Sequence, residues 1–132
     1  MKLSVLDNIC SEYIRRRAIA EEGGCQRCLT PKHDIQKDNG KVLPAWKQLQ
    51  CSHFIGRSRR AVRYEEDNLV GLCAACHIYL TSHPLEHVRW FTEHLGEEKM
   101  DFLLARNRSR VKPDEKLLTL YYREKIKELD EV

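Results

Sequence analysis

Near the start of the chain the apolar residues Leu3, Leu6, Ile9, Tyr13 and Ile14 recur every three or four positions. That is the spacing of one buried helix face. The pattern predicts a helix over 3–21, closed by Glu21-Glu22-Gly23-Gly24, whose glycines are natural stop residues. The polar stretch "CQRCLTPKHD" that follows reads as a tight knuckle. Residues 35–50 contain an Asn39-Gly40 turn signal and Pro44, and read as a loop leading into a strand near 48–55. A basic loop continues to about residue 68. "NLVGLCAACHIYLTS" reads as a short turn that opens a helix. Pro84 suits the first turn of the next helix and Gly96 its end. On that helix Leu85, Val88, Phe91 and Leu95 share the apolar face, with His87 and His94 opposite, toward solvent. A further helix is expected over 97–107. Pro113 and Asp114 open a last one, whose acidic start suits the positive end of a helix dipole.

The chain has 132 residues, 42% hydrophobic and 33% charged, which is a folded rather than a disordered composition. Its segments read as an N-terminal helix (1–24), a core (25–96) and a C-terminal helical extension (97–132). No apolar run approaches the roughly 20 residues that a membrane-spanning helix needs. The N-terminus has neither a continuous apolar stretch nor a cleavage site for a signal peptide. The expected location is the cytoplasm.

Six cysteines in such a chain are thiols or metal ligands rather than a disulfide framework. Four of them form two Cys-x-x-Cys pairs, Cys25/Cys28 and Cys73/Cys76. Each pair clamps a metal through two thiolates, and two pairs complete the tetrahedral four-sulfur site of structural zinc. Cys73-Ala-Ala-Cys76-His77 is also the attachment pattern of a c-type haem, but haem would leave Cys25 and Cys28 idle. A redox dithiol would want a thioredoxin-like pattern that is missing here. Structural Zn²⁺ is the favoured reading. Cys10 reads as a small buried hydrophobe. Cys51, two residues before His53, is either packing or a neighbour of a site.

The net charge of +3 is modest, but its distribution is uneven. Arg57, Arg59, Arg60 and Arg63 form one cluster, Arg106, Arg108, Arg110 and Lys112 a second, and Arg15, Arg16 and Arg17 a third. Clusters of this kind suit the phosphates of a nucleic acid.

One helical step turns a side chain by about 100°, so His77 points away from the metal that Cys76 would bind. His77 is then free to serve a second site. His53 at the end of the predicted strand and Asn68 in the connection complete the series His53, Asn68, His77. "CSHF" and "EEDNLVGLCAACH" resemble an HNH endonuclease, a ββα-metal nuclease built around a zinc-supported treble clef. More narrowly, "LDNICSEYIRRR", "CQRC", "LQCSHFIGRSRRAVRYEEDNLVGLCAACHIYL" and "HPLEH", over residues 6–96, are similar to the NinG/Rap family of phage recombination proteins.

The resemblance implies an α+β fold with a small treble-clef core between N-terminal and C-terminal helices. It implies a metal-dependent endonuclease of a phage or prophage, acting in the bacterial host on branched DNA such as Holliday junctions and D-loops. His53 would be the general base, and His77 would hold a catalytic Mg²⁺ or Mn²⁺. Asn68 would fix the connecting loop. Arg57, Arg59, Arg60, Arg63, Arg106, Arg108 and Arg110 would hold DNA. The position before His53, often an acidic or second histidine ligand in such enzymes, is Ser52. His83, Asp67 and Cys51 are candidates to replace it, or His53 is itself a ligand. Two alternatives stay open: a zinc-stabilised DNA-binding module without catalysis, and an HNH nuclease of restriction or homing type. A symmetric junction would suit a homodimer. Leu117, Leu118, Tyr121 and Leu129 of the last helix would either form that interface or pack on their own chain.

Overall fold

The computed structural model describes residues 3–131; Met1, Lys2 and Val132, at the ends of the first and last segments, lie outside them. The described residues form an α+β fold with five α-helices and two small antiparallel sheets. In chain order these are α1 (Val5–Glu22), β1 (Ile35–Gln36), β2 (Val42–Leu43), β3 (Gln50–His53), β4 (Leu69–Leu72), α2 (Ala74–Ser82), α3 (Pro84–Leu95), α4 (Glu97–Ser109) and α5 (Glu115–Asp130). None of these helices is long and apolar enough to cross a membrane.

Helix α1 begins two residues later than its apolar spacing suggests, because Ser4 and Asp7 form a capping box. Ser4 Oγ accepts from the Asp7 N–H at 3.0 Å, and Asp7 Oδ2 accepts from the Ser4 N–H at 2.9 Å. Gly23 ends the helix in the left-handed conformation, φ 73°. The Asn39-Gly40 turn closes the β1–β2 hairpin, with Ile35 opposite Leu43. The second hairpin places Gln50 opposite Leu72 and His53 opposite Leu69.

Strand β4 replaces the turn expected at 69–72. "LVGL" is buried at every position, and a four-residue apolar run has no alternation to mark it as a strand. It lies between α1 and α2, and Gly71 sets the distance to α1. A Cβ at Gly71 would lie 2.8 Å from Ala18 Cβ. Gly71→Ala is expected to push α1 off the hairpin and cost about 1–3 kcal/mol, read as a lower thermal midpoint.

Two apolar clusters form the core. Val62, Val70, Leu72, Leu80, Phe91 and Leu103 centre the first. Leu6, Ile14, Leu69 and Tyr122 centre the second, where α5 lies along α1. Tyr122 packs on Tyr13, ring centroids 5.6 Å apart, and donates its hydroxyl to the Tyr64 carbonyl. Leu118, Ile126 and Leu129 also pack into this cluster, while Leu117 and Leu120 stay exposed.

The buried face of α3 is rotated from the one expected. Phe91 is fully buried and Leu95 packs on the core, but Leu85 is 83% and Val88 51% exposed. His87 and Trp90 take the inner positions instead. His87 sits edge-on to Phe54, at 5.5 Å, and to Phe91, at 5.1 Å. An imidazole presents enough apolar surface to share an aromatic cluster. His94 stays exposed and stacks on Trp90.

Candidate metal centre and histidine site

The sulfurs of Cys25, Cys28, Cys73 and Cys76 all lie within 4.8 Å of one another. The first pair sits on the knuckle after α1. The Cys25 N–H donates to Thr30 O at 3.2 Å and the Leu29 N–H to Cys25 O at 2.9 Å, with Leu29 held at φ 60°. Gly24 lets the two arms of the knuckle close: a Cβ there would lie 2.0 Å from Thr30 O. Gln26 ties the knuckle to β4, donating its N–H to Gly71 O at 3.0 Å and accepting the Gly71 N–H on its side chain at 2.8 Å. The second pair sits at the start of α2. Cys73 Sγ caps that helix, accepting from the Cys76 N–H at 3.4 Å. Arg27 Nη1 donates to Cys76 Sγ, also at 3.4 Å.

This donor set fits zinc. Tetrahedral Zn–S bonds of about 2.3 Å place the sulfurs about 3.8 Å apart. Cys28 Sγ and Cys73 Sγ are 3.8 Å apart. The thiols differ in how readily they ionise. The Thr30 hydroxyl holds Cys28 down to about 6, but burial pushes Cys76 up to about 12. A divalent ion supplies the charge that lets four thiolates sit together. No described cysteine is in a disulfide.

Three further side chains surround the β3–β4 hairpin. Alternation along β3 turns Cys51 and His53 toward α1, and Gln50 and Ser52 toward α2. His53 borders a small cavity with Asp7, Arg57, Arg63 and Tyr64. Burial, and then the nearby Arg57 cation, lower its pKa to about 4. The Arg63 backbone carbonyl, hydrogen-bonded to the ring, opposes this shift. One ring nitrogen is thus occupied as a donor, and the other keeps its lone pair.

Asn68 is fully buried behind this site. Its Oδ1 accepts from the Ile55 N–H at 2.7 Å, and its Nδ2 donates to Ile55 O at 2.9 Å and to Val62 O at 3.1 Å. These bonds pin both ends of the loop that carries the first arginine cluster. Asn68→Ala would leave three buried or half-buried backbone groups without that partner. The expected cost is about 2–4 kcal/mol, measurable by denaturant unfolding.

His77 follows Cys76 on α2. Its Nδ1 faces Gln50 Oε1 at 2.5 Å. With the amide oxygen toward the ring, Nδ1 carries the proton and Nε2 offers a lone pair. Burial, and then Arg57, lower its pKa. Arg57 lines the cavity with His53, and its charge lowers the pKa of both histidines. On α3, burial, and then the charge of His77, lower the His87 pKa as well. His87 Nε2 is buried with no hydrogen-bond partner among the described residues.

Of the three replacements expected for Ser52, His83 and Asp67 lie away from the cavity around His53, while Cys51 lines it. His83 Nδ1 is bonded to Tyr79 O at 2.7 Å, and its ring stacks on Tyr79. Asp67 borders clefts with Arg106 and with Arg17, away from the cavity around His53. Cys51 faces Cys10 and Ser11 on α1, and burial pushes its thiol up to about 11. Ser52 is buried opposite Val70. The structure sets Gln50 beside His77, and His87 against Phe54 and Phe91. His87 was legible only as one of several helix positions, and Gln50 carried no signal at all. Among the described residues, the four cysteines are the one group of three or more metal-ligating side chains within mutual reach.

The arginines divide by partner. Arg63 forms a two-pronged pair with Asp7, at 2.9 and 2.8 Å, and is only 12% exposed. Burial raises the Asp7 pKa, but hydrogen bonds from Ser4 and Arg63 outweigh it and hold the carboxyl low. Arg60 pairs with Glu115 and Arg106 with Glu65, each at 2.5 Å. Arg57, Arg59, Arg108 and Arg110 are exposed. The N-terminal cluster turns inward: Arg15 lies over Trp46, Arg16 pairs with Asp130 at 2.8 Å, and Arg17 donates to Leu69 O at 2.8 Å.

Comparison with protein-family models, curated proteins and solved structures finds no match for the chain.

Proposed function

We propose that the chain is a metal-dependent DNA endonuclease of the NinG/Rap type, acting on branched DNA in a phage-infected or lysogenic bacterial cytoplasm. The arrangement of β3, β4 and α2 carries this reading. His53 ends the first strand, Asn68 pins the loop behind it, and His77 follows a zinc thiolate on the helix. Knuckle, hairpin and cysteine-bearing helix occur in the order that a treble-clef, ββα-metal core requires. Arg57, which lines the cavity with His53, adds a group that can meet a phosphate.

The chemistry divides among these residues. His53 is neutral at pH 7 and accepts the proton of the attacking water. Burial depresses His53 most, and a phosphate on Arg57 would offset the smaller, cationic part of that shift and raise its basicity when substrate is present. Asn68 holds the loop that positions Arg57. His77 Nε2 would help hold the catalytic ion, which would supply Lewis acidity at the scissile phosphate. Imidazole donors suit Mn²⁺ better than Mg²⁺, which prefers oxygen.

The alternative is a zinc-stabilised DNA-binding module without catalysis. It is favoured by the buried serine at position 52 and by the absence, among the described residues, of a carboxylate grouped with His77 in a possible metal site. A labelled DNA duplex incubated with Mn²⁺, Mg²⁺ or no added divalent ion separates the two. Cleavage that needs the added ion supports the nuclease. Tight binding without cleavage in any ion supports the module. A strong chelator is the wrong control, because it would also strip the four-cysteine site.

A further inference from the structure

Two basic clusters far apart in the chain converge on one cleft. The loop after β3 and the turn between α4 and α5 border an open cavity of about 300 Å³, lined by Ser58, Arg59, Arg60, Asn107, Arg110 and Lys112. Four of these side chains are cationic, and no lining residue is acidic. Glu115, at the start of α5, restrains Arg60. No ion pair among the described residues engages Arg59, Arg110 or Lys112. Gathering like charges without a counter-charge destabilises the compact state.

A second observation points the same way. Arg110 closes α4 in the left-handed conformation, φ 56° and ψ 17°. Glycine or asparagine adopts that conformation at far lower cost. Strain of this kind persists where another demand fixes the residue. Here the side chain at that position lines the basic cleft. Arginine forks match phosphate oxygens, Lys112 adds a compact charge, and Ser58 and Asn107 offer neutral donors. Arg57, which lines the cavity with His53, leads directly into Ser58–Arg60.

We propose that this cleft binds the phosphodiester backbone of a DNA arm flanking the cut, through Arg59, Arg110 and Lys112. The placement next to a cut rests on the nuclease reading above; the binding itself does not. Arg63 and Arg106 are spent on Asp7 and Glu65 and lie outside this contact set.

The test measures binding of a fluorescent four-way DNA junction at several salt concentrations, without added divalent ion. Wild type is compared with Arg110→Gly and with Arg110→Gly/Lys112→Ala, and the thermal midpoint of each is recorded. Arg110→Gly is expected to keep or raise the midpoint, because it relieves the left-handed strain. It is also expected to weaken binding and to lower the slope of log affinity against log salt by about one, with about one more for Lys112→Ala. A stable variant with unchanged affinity and slope overturns the cleft, while junction cleavage by that variant would leave the nuclease reading standing. The expected loss of slope in a protein that never cuts DNA would keep the cleft and remove the nuclease. Failure of the wild type to bind the junction overturns both.

Discussion

Replacing Cys73 with serine is expected to release the zinc and destabilise the whole chain. Its sulfur has two functions. It stands 3.8 Å from Cys28 Sγ in the four-sulfur cluster, and it caps α2 by accepting the Cys76 N–H. The cluster fastens the knuckle after α1 to the helix that carries His77. Little else holds the segment between the two pairs in regular structure near the knuckle, where β1 and β2 are two residues each. Metal affinity in such a site is folding free energy, so losing one thiolate should cost at least about 3 kcal/mol. In a domain of this size that corresponds to a fall of about 10 °C in the thermal midpoint. Metal analysis should find one zinc per wild-type chain and less in the variant. Cys10→Ala, remote from the cluster, should keep its metal. A Cys73→Ser protein that is metal-free and as stable as wild type would remove the structural-zinc reading.

His53→Ala is expected to lower DNA cleavage by about 10²–10⁴-fold, the usual contribution of a positioned general base, while zinc content stays unchanged. The same variant carries a pH signature. The folded His53 pKa of about 4 lies below the ordinary 6.5. Between these values the unfolded chain binds the proton more readily than the folded one. The contribution of neutral His53 is therefore fully present above pH 6.5 and lost as pH falls toward 4. His53→Ala should flatten the loss of stability over that window, measured by denaturant titration at pH 7, 5.5 and 4.5. An unchanged pH profile would place the ring in solvent. Undiminished cleavage by the pure variant would remove it as the base.

The parts of this site differ in how legible they are from the residues alone. The two cysteine pairs can be read directly, because a clamp of two thiolates needs a fixed short spacing. The limits of α1, α3 and α5 follow from local chemistry: the Ser4–Asp7 box, Gly23, Pro84 and Asp114 act within a few residues of themselves. Strand β4 is not legible, because four apolar residues carry no period and their burial comes from α1 and α2 on either side. The inward turn of His87 is hidden for a related reason. The rotation of α3 depends on Phe54 filling the space beside Phe91, a tertiary fact. Charge is the least legible property. Arg63 looks like its neighbours in sequence, yet Asp7, far back in α1, occupies its guanidinium. The meeting of Arg59 with Arg110 likewise depends on where α4 ends.

The central claim is that "CAACH" holds two zinc thiolates followed by a residue of a catalytic site. Its most direct test is cleavage of a labelled four-way junction beside a linear duplex of matching sequence, in Mn²⁺ and in Mg²⁺, by wild type and His77→Ala. The expected result is ion-dependent cutting that favours the junction and is lost in His77→Ala, with zinc and folding retained. Junction binding with no cutting in either ion, or equal cutting by His77→Ala, would contradict it.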